Sequence, residues 1–302
     1  MYDITGFEQV NCLLCGSSCY KVLLKHNTNV VKCLDCGFVY SNPRIKEEYN
    51  RQNISGQGDF DIVRYNALRD HEIPRFNEQL KKIEKIKDHG KILDIGCGNG
   101  NFLECAKHRG WETYGVDINP SSLKPCSKFG SIYIGTVHEA KYQDDFFDVI
   151  FSSSTFYYLT DPLVFLKETT RILKPGGLIF ITGILNIKSL AARINIERYI
   201  RPYPPEQVSF YFDKKHLKIL MNRSGLKKIT LRTSGLGSGR VKLSVKGNNE
   251  ESNVRKENVR SAVQKDSLNR NIFKRMARSV VNGFLDFFGL GYHITMYASK
   301  EK

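Results

Sequence analysis

Leu93-Asp94-Ile95-Gly96-Cys97-Gly98-Asn99-Gly100 runs from an apolar, β-prone segment through three glycines, and Asn101 to Arg109 follows with helical spacing. A strand that turns through glycines into a helix leaves backbone N–H groups facing a ligand, so a nucleotide-like molecule is expected there. The neighbouring acid bears on which one. In a dinucleotide fingerprint the third glycine falls five positions after the first, where Asn101 stands, and Asp94 would face an incoming pyrophosphate. S-adenosylmethionine (SAM) carries a sulfonium and an ammonium instead, which a carboxylate attracts. Asp117, in Gly115-Val116-Asp117-Ile118-Asn119-Pro120, lies about 20 residues beyond the loop at the end of the next strand, where a carboxylate can accept two ribose hydroxyls.

Outward from this loop the pattern alternates. Strands are expected at Lys91 to Ile95, Glu112 to Val116, Ile132 to Ile134, Phe147 to Ser152 and Leu178 to Thr182, with helices at Asn101 to Arg109 and Leu163 to Leu173. Lys174-Pro175-Gly176-Gly177 breaks the second helix before the next strand. The fold class is therefore α/β, a Rossmann-like, doubly wound, mostly parallel sheet. Residues 46–90 read as a helical connector with Leu80, Ile83 and Ile86 on one face, interrupted early by Gly56 and Gly58 and stopped by Gly90. Beyond Gly183 we expect a helical stretch to Ile200, a turn at Pro202, Pro204 and Pro205, a helix near Lys214 to Arg223 and a strand near Lys228 to Leu231. Residues 235–270 read as mobile.

The region Lys91 to Thr182 resembles class I SAM-dependent methyltransferases. The glycine loop looks like that family's first motif, Asp117 like its ribose-binding acid, Phe146-Phe147-Asp148-Val149-Ile150 like its fourth strand, and Arg171 to Gly177 like the turn before its fifth. The resemblance implies that Asp94, Gly96 and Gly98 line the methionine half of SAM, and that Cys97, Asn99 and Gly100 of the same loop also belong to the cofactor site. Asp117 and Ile118 would line the adenosine half, and Ser152 or Ser153 the strand-four edge. Relatives often place an acid after the third strand to meet the adenine amino group. Here the segment is Gly135-Thr136-Val137-His138, so a backbone contact from Thr136 or Val137 is expected instead.

Cys12-Leu13-Leu14-Cys15 and Cys33-Leu34-Asp35-Cys36 are separated by 17 residues, a zinc-ribbon spacing. Four thiolates satisfy tetrahedral Zn²⁺ with no open position, so Cys12, Cys15, Cys33 and Cys36 are expected to hold a structural zinc, with Cys19 a less well-spaced substitute. The organisation expected is a zinc ribbon over 1–45, the connector over 46–90 and a methyltransferase domain over 91–302. Residues 184–302 form its basic acceptor-side region, with a helical insertion about 235–290. A ribbon followed by Asn42-Pro43-Arg44 and a SAM domain also looks like a group of bacterial methyltransferases that includes sugar C-methyltransferases.

The resemblance therefore implies methyl transfer to a small, anionic acceptor: a sugar, nucleotide-sugar or lipid-linked precursor. An RNA methyltransferase and a non-catalytic SAM-binding scaffold are the alternatives. Tyr158 and His216 are the candidate catalytic bases, with Tyr157 and Tyr211 near them, and Ser153-Ser154-Thr155-Phe156 stands where an Asn-Pro-Pro-Tyr amino-methylation motif would be. Residues 1–183 carry 22 Lys/Arg against 22 Asp/Glu, and residues 184–302 carry 24 against 9, so the whole net charge of +15 belongs to the second part, which is expected to meet an anionic partner. The chain offers no apolar run long enough to cross a bilayer, and Asp3 and Glu8 are unlike a signal peptide, so a cytoplasmic location is expected. One further helix, Ile272 to Phe288, precedes a final strand, Tyr292 to Ser299. Ile272, Phe273, Met276, Ala277, Val280, Val281, Phe284, Leu285, Phe287 and Phe288 share one arc, which is expected to be buried on its own domain or a partner, or to enter a membrane surface beside Arg270, Lys274, Arg275 and Arg278.

Overall fold

The computed structural model describes residues 6–55, 58–202, 206–236 and 272–301. The stretch read as mobile lies, but for its first two residues, outside them, as do Gly56, Pro204 and Pro205. The N-terminal part contains strands β1 (Phe7–Glu8), β2 (Tyr20–Leu24), β3 (Asn29–Cys33), β4 (Val39–Asn42) and β5 (Arg44–Ile45), then helices α1 (Glu47–Ser55) and α2 (Gly58–Glu84). The central part runs β6 (Lys91–Ile95), α3 (Asn101–His108), β7 (Glu112–Asp117), α4 (Leu123–Cys126), β8 (Ser131–Ile134), β9 (Phe147–Ser153), α5 (Pro162–Ile172) and β10 (Leu173–Leu185). It is followed by α6 (Leu190–Ile194), α7 (Ile196–Ile200), β11 (Phe210–Tyr211), α8 (Lys214–Arg223), β12 (Lys227–Ser234), α9 (Ile272–Phe287) and β13 (His293–Ser299).

The main sheet has the order β12-β13-β10-β9-β6-β7-β8. Strands β6 to β10 are parallel, and β13 is antiparallel to both neighbours. The chain leaves β6 through β7 to β8, then returns to β9 on the other side of β6. This reversal opens a crevice at the carboxyl ends of β6 and β9, where open α/β sheets bind ligands. Helices cover both faces, so β6 and β9 read as nearly continuous apolar runs, with Ile92, Leu93, Ile95, Val149, Ile150 and Phe151 buried. Helix α5 starts because Asp161 accepts from the N–H groups of Leu163 and Val164, both at 3.0 Å, with Pro162 at its first position.

Helix α2 is part of the core. Phe76 packs edge-on against Phe102 and Phe151, whose rings stack at 3.7 Å, and Leu80 and Ile83 are fully buried below. Ile86, expected on the same face, lies past the helix end at Glu84 and is exposed. On the other flank, β10 continues to Leu185 where a helix was expected from Gly183, because Ile184 and Leu185 pair with β13. Two short helices follow. Asn195 ends the first and caps the second, accepting from Arg198 N–H at 2.8 Å.

The N-terminal sheet takes its fourth strand from far along the chain: β11 pairs with β4, giving the order β11-β4-β3-β2. Phe38, Phe210 and Phe212 pack at this junction. In α9 the side chains are described from Ser279 onward, so Ile272, Phe273, Met276 and Ala277 of the expected arc lie outside them, and the described part does not pack whole on its own domain. Leu285 is buried, but Val280, Val281, Phe284, Phe287 and the following Phe288 are exposed.

Candidate functional site

Gly96, Gly98 and Gly100 all have positive φ, at 77°, 52° and 79°. A side chain at Gly96 would be strained on two counts, since its Cβ would lie 2.1 Å from Thr155 Oγ1. The turn is tied to β7 by the N–H groups of Gly96 and Cys97, which donate to Val116 O at 2.8 and 3.2 Å. Asp117 accepts from Gly98 N–H on one carboxylate oxygen and from Asn119 N–H on the other, both at 2.8 Å. A carboxylate with about four acceptor sites can hold these two amides and still meet hydroxyls. Cys97 contributes backbone alone: its thiol is turned beneath the loop, 4.0 Å from Cys126, which donates to Gly98 O.

Asp94 is buried at the base of the loop. Burial first, then the nearby charges of Asp117 and Glu72, pushes its carboxyl well above the usual carboxylate range. Such a cluster of acids is relieved by a cation, which is what the sulfonium and ammonium of SAM provide. Glu72 and Arg75, both on α2, are residues that the sequence reading missed. Glu72 accepts from Asn101 Nδ2 at 2.9 Å, and Arg75 lies 3.7 Å from Glu72. Arg75 Nε is shielded from water and has no hydrogen-bond partner, although 40% of the side chain is accessible. That combination suits a guanidinium lining a cleft and open to an anionic group such as the methionine carboxylate. A local signal existed: Glu72 extends the spacing Phe76, Leu80, Ile83 on a helix face that is otherwise apolar.

The remaining expected residues divide. Ser153 ends β9 at the crevice and Ile118 follows Asp117, both half-buried, whereas Ser152 is used internally, its hydroxyl donating to Ile95 O at 2.9 Å. Thr136 N–H donates to Glu139 at 2.7 Å, so that amide is already engaged. Tyr158 stands in a single turn after β9, half-buried against Tyr157, and its carbonyl accepts from Asn50 on α1 at 2.7 Å. Glu139, after β8, is bound by Arg51, so α1 bridges the loops that follow β8 and β9. His216 is placed elsewhere. Its Nδ1 lies 2.8 Å from Asp213, its Nε2 3.0 Å from Cys36 O, and its ring packs on Phe38, so both nitrogens belong to the ribbon junction.

The four ribbon sulfurs all lie within 4.8 Å of one another, with Cys12–Cys36 and Cys15–Cys33 at 3.5 Å. Tetrahedral zinc with bonds of about 2.3 Å sets its sulfurs roughly 3.8 Å apart, so the donor set fits. The two halves share one backbone design. Gly16 N–H donates to Cys12 O and Gly37 N–H to Cys33 O, both glycines having positive φ. Burial alone would raise the Cys33 thiol, but the N–H groups of Cys36 and Asp35 pointing at it bring it down to about 7. Arg223 of α8 donates to Leu14 O at 2.7 Å, holding the first knuckle to the main domain.

Residues 65–231 match a family model described as a methyltransferase domain. A ubiquinone biosynthesis O-methyltransferase from Parvibaculum lavamentivorans is 26% identical over 59% of this chain and 72% of its own length. A 2-methyl-6-phytyl-1,4-hydroquinone methyltransferase from Synechocystis is 29% identical over 30% of each chain. In fold, the chain is similar to a phosphoethanolamine N-methyltransferase 2 from Haemonchus contortus, at 16% identity and a TM-score of 0.57, covering 93% of this chain and 71% of that one. With the family match spanning more than half of its residues around the glycine loop, the chain belongs to this methyltransferase family and is a SAM-dependent methyltransferase.

Proposed function

We propose that the acceptor is an aromatic hydroxyl compound of the quinol type, carried on a lipid tail, in preference to a sugar or nucleotide-sugar. The observation that carries this reading is the aromatic character of the segments over the carboxyl ends of β9 and β10. There Tyr157, Tyr199, Tyr211 and Tyr292 are buried with Leu185 and Val208 and form the floor, and the half-buried Tyr158 and Ile187 packed against them are the members an acceptor can reach. Flat, apolar acceptors suit such surroundings, while a nucleotide-sugar calls for converging cations. The relatives named for ubiquinone and hydroquinone methylation support the same class.

SAM supplies an electrophilic methyl group. Asp94, Glu72 and Arg75 would hold its amino-acid end, Asp117 its ribose, and the loop from Gly96 to Gly100 would let the backbone approach closely. The chain's contribution is alignment and exclusion of water, and Tyr158 is the side chain we assign to hydrogen-bond the acceptor oxygen. His216 has no part in it, since both ring nitrogens are occupied at the ribbon.

We also assign a structural Zn²⁺ to Cys12, Cys15, Cys33 and Cys36, because four thiolates leave no open position for catalysis. Incubation with labelled SAM and parallel panels of short-chain hydroquinones and nucleotide-sugars, read by mass spectrometry, tests the acceptor. Methylation of a phenolic oxygen or ring carbon is expected. Product from the nucleotide-sugars alone would overturn the reading.

A further inference from the structure

From Asn282 onward, helix α9 is mounted with Asn282, Leu285 and Asp286 turned inward. Asp286 accepts from Thr233 N–H at 2.6 Å and pairs with Lys214 at 3.0 Å and Arg232 at 3.2 Å, while Asn282 accepts from Gly235 N–H at 2.9 Å and Thr233 Oγ1 donates to Leu285 O. At 100° per residue the opposite arc holds Val280, Phe284, Phe287 and, one turn on, Phe288. Phe287 is 84% and Val280 74% exposed, and the rings of Phe284 and Phe288 lie 4.6 Å apart. Asn186 and Leu190 bind the carbonyls of Gly289 and Leu290, which sets α6 beside the end of this helix, where Leu190 and Ile194 are also exposed. An aromatic ridge of this size turned toward water calls for a cover.

The surrounding charge says which. On the α6 side, Lys188 and Arg193 are exposed, and Arg198 and Arg201 follow in the next helix and its end against one acid, Glu197, in the stretch 188–201. On the other, beyond Lys214, a shallow groove of about 300 Å³ is lined by Lys214, Lys215, Lys218, Ile229 and Leu231. A second copy of this chain on the ridge would bring these cations together, whereas an anionic lipid surface offers apolar depth for the rings and phosphates for the rim. Among the described residues no helix is long and apolar enough to cross a membrane.

We propose that the face formed by Val280, Phe284, Phe287 and Phe288 of the α9 end, with Leu190 and Ile194 of α6, docks on an anionic bilayer surface. The inference stands on the orientation of α9 and the charge beside it, independently of the acceptor.

The test is co-sedimentation of the full chain with vesicles of phosphatidylcholine alone and with phosphatidylglycerol added. Capture by the anionic vesicles at low salt, falling as salt rises, is expected. Phe284→Ser with Phe287→Ser should lower the partition coefficient by about tenfold or more, and Lys215→Glu with Lys218→Glu should lower it on anionic vesicles only. SAM affinity by calorimetry should match the parent in both variants, which certifies their fold. Equal recovery in the supernatant for both lipid mixtures, undiminished capture of the phenylalanine variant, or a dimer in solution that this variant dissociates without any vesicle capture would overturn the proposal. No methyl acceptor enters this assay, so an error in the acceptor reading leaves its result intact.

Discussion

The cysteine knuckles and the glycine loop use the same residue to turn the chain, in surroundings that differ. Gly16 and Gly37 have φ of 77° and 83°, and a Cβ on Gly16 would meet nothing within 4 Å, one on Gly37 only the end of Lys32. Gly96 has the same φ, but the hydroxyl of Thr155 occupies its missing side chain. A knuckle needs glycine for backbone conformation alone, because the space beside its turn is open. The loop needs it for conformation and for space, because a second strand end closes over it and a ligand must approach the backbone.

The largest effect should come from the knuckles themselves. Cys33→Ser is expected to take bound zinc from about one per chain to under about a tenth, with a lower thermal midpoint, as metal analysis and calorimetry would read. Because β11 completes the ribbon sheet, that loss should also reach the main domain. Full zinc and an unchanged midpoint in this variant would break the comparison on the ribbon side. Gly96→Ala comes next, with SAM affinity reduced about 100-fold, roughly 2.7 kcal/mol. Adding Thr155→Ala should recover only the steric part, so full recovery would show that backbone conformation is unimportant there.

Asp117→Ala should cost about 1.5 to 3 kcal/mol of SAM affinity, by loss of charge-assisted hydrogen bonds to the ribose and of the brace on Gly98 N–H. Undiminished affinity would show that Asp117 does not hold the ribose. A pH effect follows from Asp94. Its carboxyl is raised in the free protein and would be lowered by a bound cation, so binding releases a proton and affinity rises with pH, by at most about tenfold per unit. Calorimetry in buffers of different ionisation enthalpy measures that release, and Asp94→Asn should abolish it. The smallest effect is expected for Gly16→Ala, about 1 kcal/mol of stability from strain at positive φ, with SAM affinity unchanged.

Much of the site was legible because it is local. Leu93 to Gly100 contains its own strand, turn and helix start, and Cys12 to Cys15 and Cys33 to Cys36 each contain a close cysteine pair. Asp117 was legible by spacing. Glu72 and Arg75 were passed over because they belong to a helix read as a connector. Nothing near them in sequence says that α2 crosses the amino end of α3, where Asn101 meets Glu72. His216 misled for the opposite reason, since a histidine on a helix in the acceptor-side region gives no sign that Asp213 and the Cys36 carbonyl hold it.

The order of alternating strands and helices, the glycine turn, the acid at the end of β7 and the four-cysteine set were determined by the sequence alone, because periodicity and spacing act over a few residues. The tertiary structure decided that β11, roughly 170 residues beyond β4, closes the ribbon sheet. It also decided that Val280, Phe284, Phe287 and Phe288 at the end of α9 face outward. The amphipathic pattern of Ile272 to Phe288 specifies two faces but not which one meets the domain. That depends on Asp286 finding Thr233, 53 residues earlier, together with Lys214 and Arg232, a set of polar contacts that only the folded chain brings together.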